Sequence, residues 1–188
     1  MAETQPKLLW LHLQLAHLLS DDVSLGLTDG NRITFAQRST AIYGGRGEAF
    51  RKLYDAYGNA FKFAELYPEY LVETTSLSTT AKGEDVKVVL KIVNSDIVYE
   101  PIPVGKYINA RYSYSNFNKG FEEIGQAIKL IGISPQPSTV TALYIKQPVD
   151  VTYVGPSYSS TDIPEMTYLR NMILMEAYII AQGLIQKQ

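Results

Sequence analysis

The chain has 188 residues, enough for one domain or for one domain with a sizeable insertion, and its 46% of apolar residues can fill a core. Charged residues make up 19% against a usual share of about 25%, and 17 Lys and Arg against 19 Asp and Glu leave a net charge of −2, so no positive field exists to hold nucleic-acid phosphates. Without Cys, disulfides, thiolate metal sites, Fe–S clusters and cysteine nucleophiles are excluded; His12 and His17, turned about 140° apart on a helix, cannot share a metal as an i, i+4 pair does.

Lys7 to Leu19 is apolar and near the N-terminus, but it is shorter than the ~20 residues of a membrane span and carries His12, Gln14 and His17. Ser20-Asp21-Asp22 offers no small-residue cleavage site, so an unprocessed, cytoplasmically made chain is expected. Leu8, Leu11, Leu15 and Leu18, extended by Leu19, recur at the spacing of a core-facing helix. Turn-prone residues between Asp21 and Asn31 then reverse the chain.

Thr34-Phe35-Ala36-Gln37 has the form of a capping box, which predicts a second helix from Phe35 with Phe35, Ile42 and Ala41 on its apolar face. Gly44-Gly45 is expected to stop or kink it. From Glu48 the series Phe50, Leu53, Tyr54, Tyr57, Phe61 and Ala64 holds helical phase until Tyr67-Pro68, and is the strongest periodic signal in the chain.

After Pro68 the period changes to that of strands. Val86, Val88, Leu90 and Ile92 alternate with Lys87, Val89, Lys91 and Val93, and Lys106 to Tyr114 alternates in the same way. Gln126 to Ile133, Ser138 to Gln147 and Val149 to Val154 are further candidates, punctuated by Gly or Pro. Asp162-Ile163-Pro164-Glu165 then opens a last helix with a capping Asp, a first-turn Pro and a Glu.

That helix carries two apolar faces. Met166, Leu169, Ile173, Ala177, Ile180 and Leu184 make one; Tyr168, Met172, Met175 and Ile179 make an adjoining second. An ordinary surface helix buries only a stripe, so this one either forms the core of a bundle or meets another subunit with half its surface. The element order gives an α+β fold: a small helical bundle from residues 1–69 and 162–188, an inserted antiparallel β module from residues 70–158 projecting from it, and a connector at residues 159–161.

Catalytic groups are scarce. Tyr43-Gly-Gly-Arg-Gly-Glu48 superficially resembles a phosphate loop but lacks its spacing and its Lys-Ser/Thr, so a helix–helix turn or tight packing point is the expected reading, with Arg46, Arg51 and Lys52 on a solvated face. Neither Glu65 with Glu69 nor Glu122 with Glu123 has neighbours that would split a carboxylate pair into acid and base, and no nucleophile elbow is present. No enzymatic activity, cofactor or metal is predicted. The 14 Tyr are the outlying feature; Tyr99, Tyr107, Tyr112, Tyr114, Tyr144, Tyr153 and Tyr158 fall in the β module, where they suit a core, an interface or a sugar-stacking platform.

The C-terminal half, from Ile128 through Thr152 and again from Asp162 to Leu184, resembles the head-to-tail adaptor (connector) proteins of tailed bacteriophages. The features that carry the resemblance are the turn at Pro135 and Pro137, a strand with Val140 and Tyr144 followed by Pro148, and Ile163-Pro164 opening the closing helix. Arg32-Ile-Thr-Phe-Ala-Gln-Arg38 is similar to the start of the family's second helix, whereas Gly44 to Gly47 and Arg111 to Lys119 depart from its pattern.

The resemblance implies a structural virion protein at the neck, forming a ring of copies, with twelvefold symmetry expected, beneath the portal protein. The ring would extend the channel through which DNA passes without specific binding and give tail or nozzle proteins a docking surface. No membrane is involved. On this reading Tyr168, Met172, Met175 and Ile179 face the portal or the adjacent subunit, and Tyr107, Tyr112 and Tyr114 form a tail-facing surface. The alternative from a different class is a carbohydrate- or ligand-binding β module that stacks its ligand on those same three tyrosines.

Overall fold

The computed structural model describes residues 8–21, 31–102, 119–149 and 169–187. Chain order is α1 (Leu8–Leu19), α2 (Phe35–Tyr57), α3 (Ala60–Leu66), a short 3₁₀ turn (Pro68–Tyr70), β1 (Leu71–Ser78), β2 (Val86–Asn94), β3 (Ile97–Pro101), β4 (Gly120–Ile124), β5 (Ala127–Leu130), β6 (Thr139–Lys146) and α4 (Arg170–Ile185). The fold is α+β, with helices and a largely antiparallel sheet. It divides into two compact units: Met1–Gly58 with Pro148–Gln188, and Asn59–Gln147, the second inserted in the first.

In the first unit, α1 buries Leu8, Leu11, Leu15 and Leu19 together with His12 and Ala16. Leu18, expected in that stripe, is 43% exposed. At about 100° per residue it lies on the opposite side of Leu15 from His12 and Ala16, and the buried face turned towards the latter pair.

The capping box forms as its sequence predicts. Thr34 Oγ1 accepts from the Gln37 amide at 3.2 Å, and Gln37 Oε1 accepts from the Thr34 amide at 2.7 Å. Just upstream, the Asp21 carboxylate accepts from the amides of Arg32 and Ile33, which ties the end of α1 to the entry of α2.

Gly44-Gly45 does not stop α2, which runs 23 residues through the pair. The break falls instead at Gly58, whose φ of 58° is left-handed backbone that glycine enters without steric cost, and at Asn59, whose Oδ1 accepts from the amides of Phe61 and Lys62. One long periodic series is therefore two helices. The second, α3, belongs with the strands rather than with the helical segment expected to extend to residue 69.

In the second unit the strand order is β1-β6-β2-β3-β4-β5. All pairs are antiparallel except β3 with β4, where Glu100 and Pro101 oppose Gly120 and Phe121 in parallel. The sheet curls until its last strand meets the chain leaving its first: the Ile128 amide donates to the Thr79 carbonyl at 2.7 Å and the Lys82 amide to the Gln126 carbonyl at 2.8 Å. This closure covers edge groups that an open sheet would leave unpaired. Inside lie Leu77, Val89, Ile92, Tyr99, Phe121, Ile128, Leu130, Val140 and Ala142 among others.

Strands β1, β3 and β4 carry no simple alternation of buried and exposed residues, so periodicity does not reveal them. The β2–β3 connection is a two-residue hairpin whose central residues Ser95 and Asp96 both have positive φ, 49° and 64°, the backbone that matches the twist of flanking strands. The expected strand from Lys106 to Tyr114 lies outside the described residues, as does Val149 to Val154 beyond its first residue.

The alternation expected in β2 is interrupted. Register shifts against β6 between Val86 and Val88, and again between Val89 and Lys91, place Val89 in the core and leave Val88 half-buried. An extra residue on one strand flips the faces beyond it. The amide of Val89 donates to Glu123 Oε1 at 2.9 Å, and the other carboxylate oxygen pairs with Lys82. One carboxylate from β4 thus serves an amide beside the bulge and a cation from the loop after β1. Glu123→Ala is expected to cost about 1–3 kcal/mol, because it strands both partners in a largely dehydrated site; urea denaturation followed by the β signal checks this.

Candidate interaction face on the last helix

The position of α4 is set by backbone contact with α2. A Cβ added at Gly45 would stand 2.6 Å from the Ala177 backbone nitrogen and 2.7 Å from the Ile173 carbonyl oxygen. At Gly44 it would meet the Ile180 side chain at 3.0 Å. Glycine on α2 and alanine on α4 therefore let the two helices approach nearer than any larger pair allows. The Tyr43 to Glu48 stretch is this packing point. It lies mid-helix, where its amides belong to the helix's own hydrogen bonds, so the phosphate-loop geometry is absent there.

Three further contacts fix the rotation of α4. Leu169, Ile173, Ala177 and Ala181 are buried; Lys52 Nζ of α2 stands 2.5 Å from Glu176 Oε1; and the Arg170 guanidinium lies over the Trp10 ring of α1, 4.8 Å from its centroid. The basic cluster expected on a solvated face is divided. Arg46 is buried with its guanidinium over the Tyr43 ring, Arg51 is exposed and paired with Glu48 and Asp55, and Lys52 serves Glu176.

With α4 held this way, its second apolar face points away from α2. At about 100° per residue, Met172, Met175 and Ile179 fall within roughly 60° of one another and nearly opposite Ala177. They are 36%, 56% and 58% exposed. Of the two readings of a doubly apolar helix, the described residues do not wrap this side: it is an open stripe of three large side chains at i, i+3 and i+7, without a charged residue among them. Two of the three are methionines, whose flexible thioether chains adapt to irregular surfaces.

The remaining expected site residues, Tyr168, expected on the same face, and Tyr107, Tyr112 and Tyr114, expected in the β module, lie outside the described residues. Two other tyrosines of the module, Tyr99 and Tyr144, are buried in the sheet core, where loss of water pushes both phenols above their usual range. Those two serve packing. Of the carboxylates weighed as an acid and base, Glu123 is engaged by Lys82 and the Val89 amide.

The structure also holds a polar group in the helical unit that no sequence motif announced. His12, Ser39, Arg38 and Asp21 meet between α1 and α2, with both the Arg38 and Asp21 side chains fully withdrawn from solvent. Only the placement of a histidine within a leucine-rich helix hinted at it.

Among the described residues no group of three or more His, Asp or Glu could hold a metal ion, and no helix is long and apolar enough to cross a membrane. The sequence matches no known protein-family model and no curated protein.

Proposed function

We propose that this chain is a head-to-tail adaptor of a tailed bacteriophage, a structural subunit that assembles into a ring between portal and tail, and that the Met172, Met175 and Ile179 face of α4 is its contact with the portal or the adjacent copy. The observation that carries this reading is that stripe: apolar, uncharged and open, on a helix whose opposite side is locked to α2. An apolar surface of this kind is kept where a partner covers it. The pattern at Pro135, Pro137, Val140, Tyr144, Ile163 and Pro164 supplies the family to which the assembly is referred.

The role is mechanical. A ring subunit needs a rigid body that repeats identically around an axis, and a contact surface formed before assembly. The close crossing of α2 and α4 favours the first, since backbone in contact with backbone leaves little freedom for α4 to rotate. The low net charge suits a channel that passes DNA without gripping it.

Quantitative mass spectrometry of purified virus particles tests the proposal. The chain is expected in fixed stoichiometry with the portal protein. Its absence from particles would overturn the assignment.

A further inference from the structure

We propose that His12, Ser39, Arg38 and Asp21 form an acid-sensitive latch between α1 and α2, and that protonation of His12 releases α1 from the helical unit. This inference does not depend on the adaptor assignment. His12 is only 1% exposed, and its ring stacks on Phe35 with centroids 4.4 Å apart and planes 9° from parallel. Its Nε2 lies 3.3 Å from Ser39 Oγ. Ser39 Oγ also lies 3.1 Å from the Phe35 carbonyl, so one hydroxyl joins the imidazole to the α2 backbone.

The surroundings oppose protonation of the ring. From α2 the buried Arg38 guanidinium acts on the ring directly, while its Nη1 reaches Asp21 Oδ2 at 3.5 Å and the Ile33 carbonyl at 3.4 Å. Asp21, at the end of α1, is committed to Arg38 and to the amides of Arg32 and Ile33. From α4, Arg170 lies over Trp10, which helical geometry turns about 160° away from His12, so its charge falls on the far side of α1. His17, the other imidazole of α1, is exposed. Stacking on Phe35 would favour an imidazolium slightly, but burial and then the Arg38 charge outweigh it and push His12 down from 6.5 to about 4.

The direction of the pH effect follows. With α1 released, His12 returns to its ordinary range and binds a proton more readily than in the closed unit. The closed form is fully favoured above about pH 6.5 and loses ground as pH falls towards 4, by up to roughly 300-fold in the open-to-closed ratio. The element set free is the leucine-rich α1.

Trp10 is the chain's one tryptophan and sits on α1 against Arg170, so its emission reports whether α1 is docked. The full chain is titrated from pH 7.5 to 3.5 with Trp10 excited selectively and the strand signal followed by circular dichroism. A Trp10 transition between pH 6.5 and 4, with the strand signal retained, is expected. In His12→Phe, which keeps a ring against Phe35 but takes no proton, that transition should vanish. Identical titrations of the two proteins, or a wild-type Trp10 signal flat down to pH 4, would overturn the proposal. Should the variant fail to fold, NMR titration of the wild-type imidazole decides. A midpoint near 6.5 without change in Trp10 refutes the latch; a depressed midpoint that coincides with the Trp10 change supports it.

Discussion

Gly45→Ala is expected to destabilise the helical unit by roughly 2–3 kcal/mol, even though alanine is the better helix former. The added methyl group would meet the Ala177 nitrogen, the Ile173 carbonyl oxygen and the Ala177 Cα, all within 2.9 Å. These are backbone atoms of another helix, so no rotamer change relieves the overlap. The helices must separate by a substantial part of an ångström, and every contact along the crossing loosens with them. Intrinsic propensity works the other way by about 1 kcal/mol and is too small to compensate.

Gly47→Ala supplies the opposite sign within the same helix. Nothing lies within 4 Å of a Cβ at that position, so the substitution should stabilise by up to about 1 kcal/mol through helix propensity alone. Urea unfolding of both variants, read by helix signal, checks the pair. Equal effects at the two glycines would mean that the helices do not cross at Gly45.

The double variant Met172→Glu with Met175→Glu should leave the monomer folded and abolish assembly. Both side chains are substantially exposed in the single chain, so monomer stability is expected to change by no more than about 0.5 kcal/mol. In an assembled interface the same two positions would carry buried, unpaired carboxylates, each costing several kcal/mol, far more than three apolar contacts return. Thermal unfolding establishes that the monomer survives. Analytical ultracentrifugation with purified portal protein then reads assembly, and normal assembly by the variant would place the contact elsewhere on the molecule. Met172→Leu with Met175→Leu, which keeps the stripe apolar at similar volume, should assemble normally.

Gly45→Ala, which presses on the Ala177 side of α4, and the methionine variants, on its open side, probe opposite sides of one helix. The Gly45 effect is intramolecular and independent of concentration; the glutamate effect is intermolecular and invisible in the monomer. Measuring both separates loss of assembly caused by a damaged subunit from loss caused by a damaged surface.

Local chemistry in the sequence determined the elements where one short stretch contains all the interacting partners. The capping box at Thr34 and Gln37 is such a case, since donor and acceptor are three residues apart, and so is the leucine spacing of α1. The two apolar faces of α4 were also legible, because helical geometry places residues by number alone. Which face would be covered was not, since that depends on a glycine more than a hundred residues away in the chain.

The same division explains the misplaced features. Gly44-Gly45 reads as a helix break when only propensity is considered, and became a contact point because α4 lies against it. At Gly58-Asn59 a strong apolar rhythm runs across the break and masks it, although each residue suits its cap. Val89 entered the core through bulges whose register is set by β6, and the closing of the sheet joins Thr79 and Lys82 to Ile128 and Gln126 across more than forty residues. The buried set of His12, Arg38 and Asp21 arises likewise: each residue is ordinary in its own segment, and only the packing of α1 on α2 removes their water and makes their charges act on one another. Sequence by itself determined periodicity, caps and the α+β class, which depend on near neighbours; tertiary structure decided burial, which depends on distant ones.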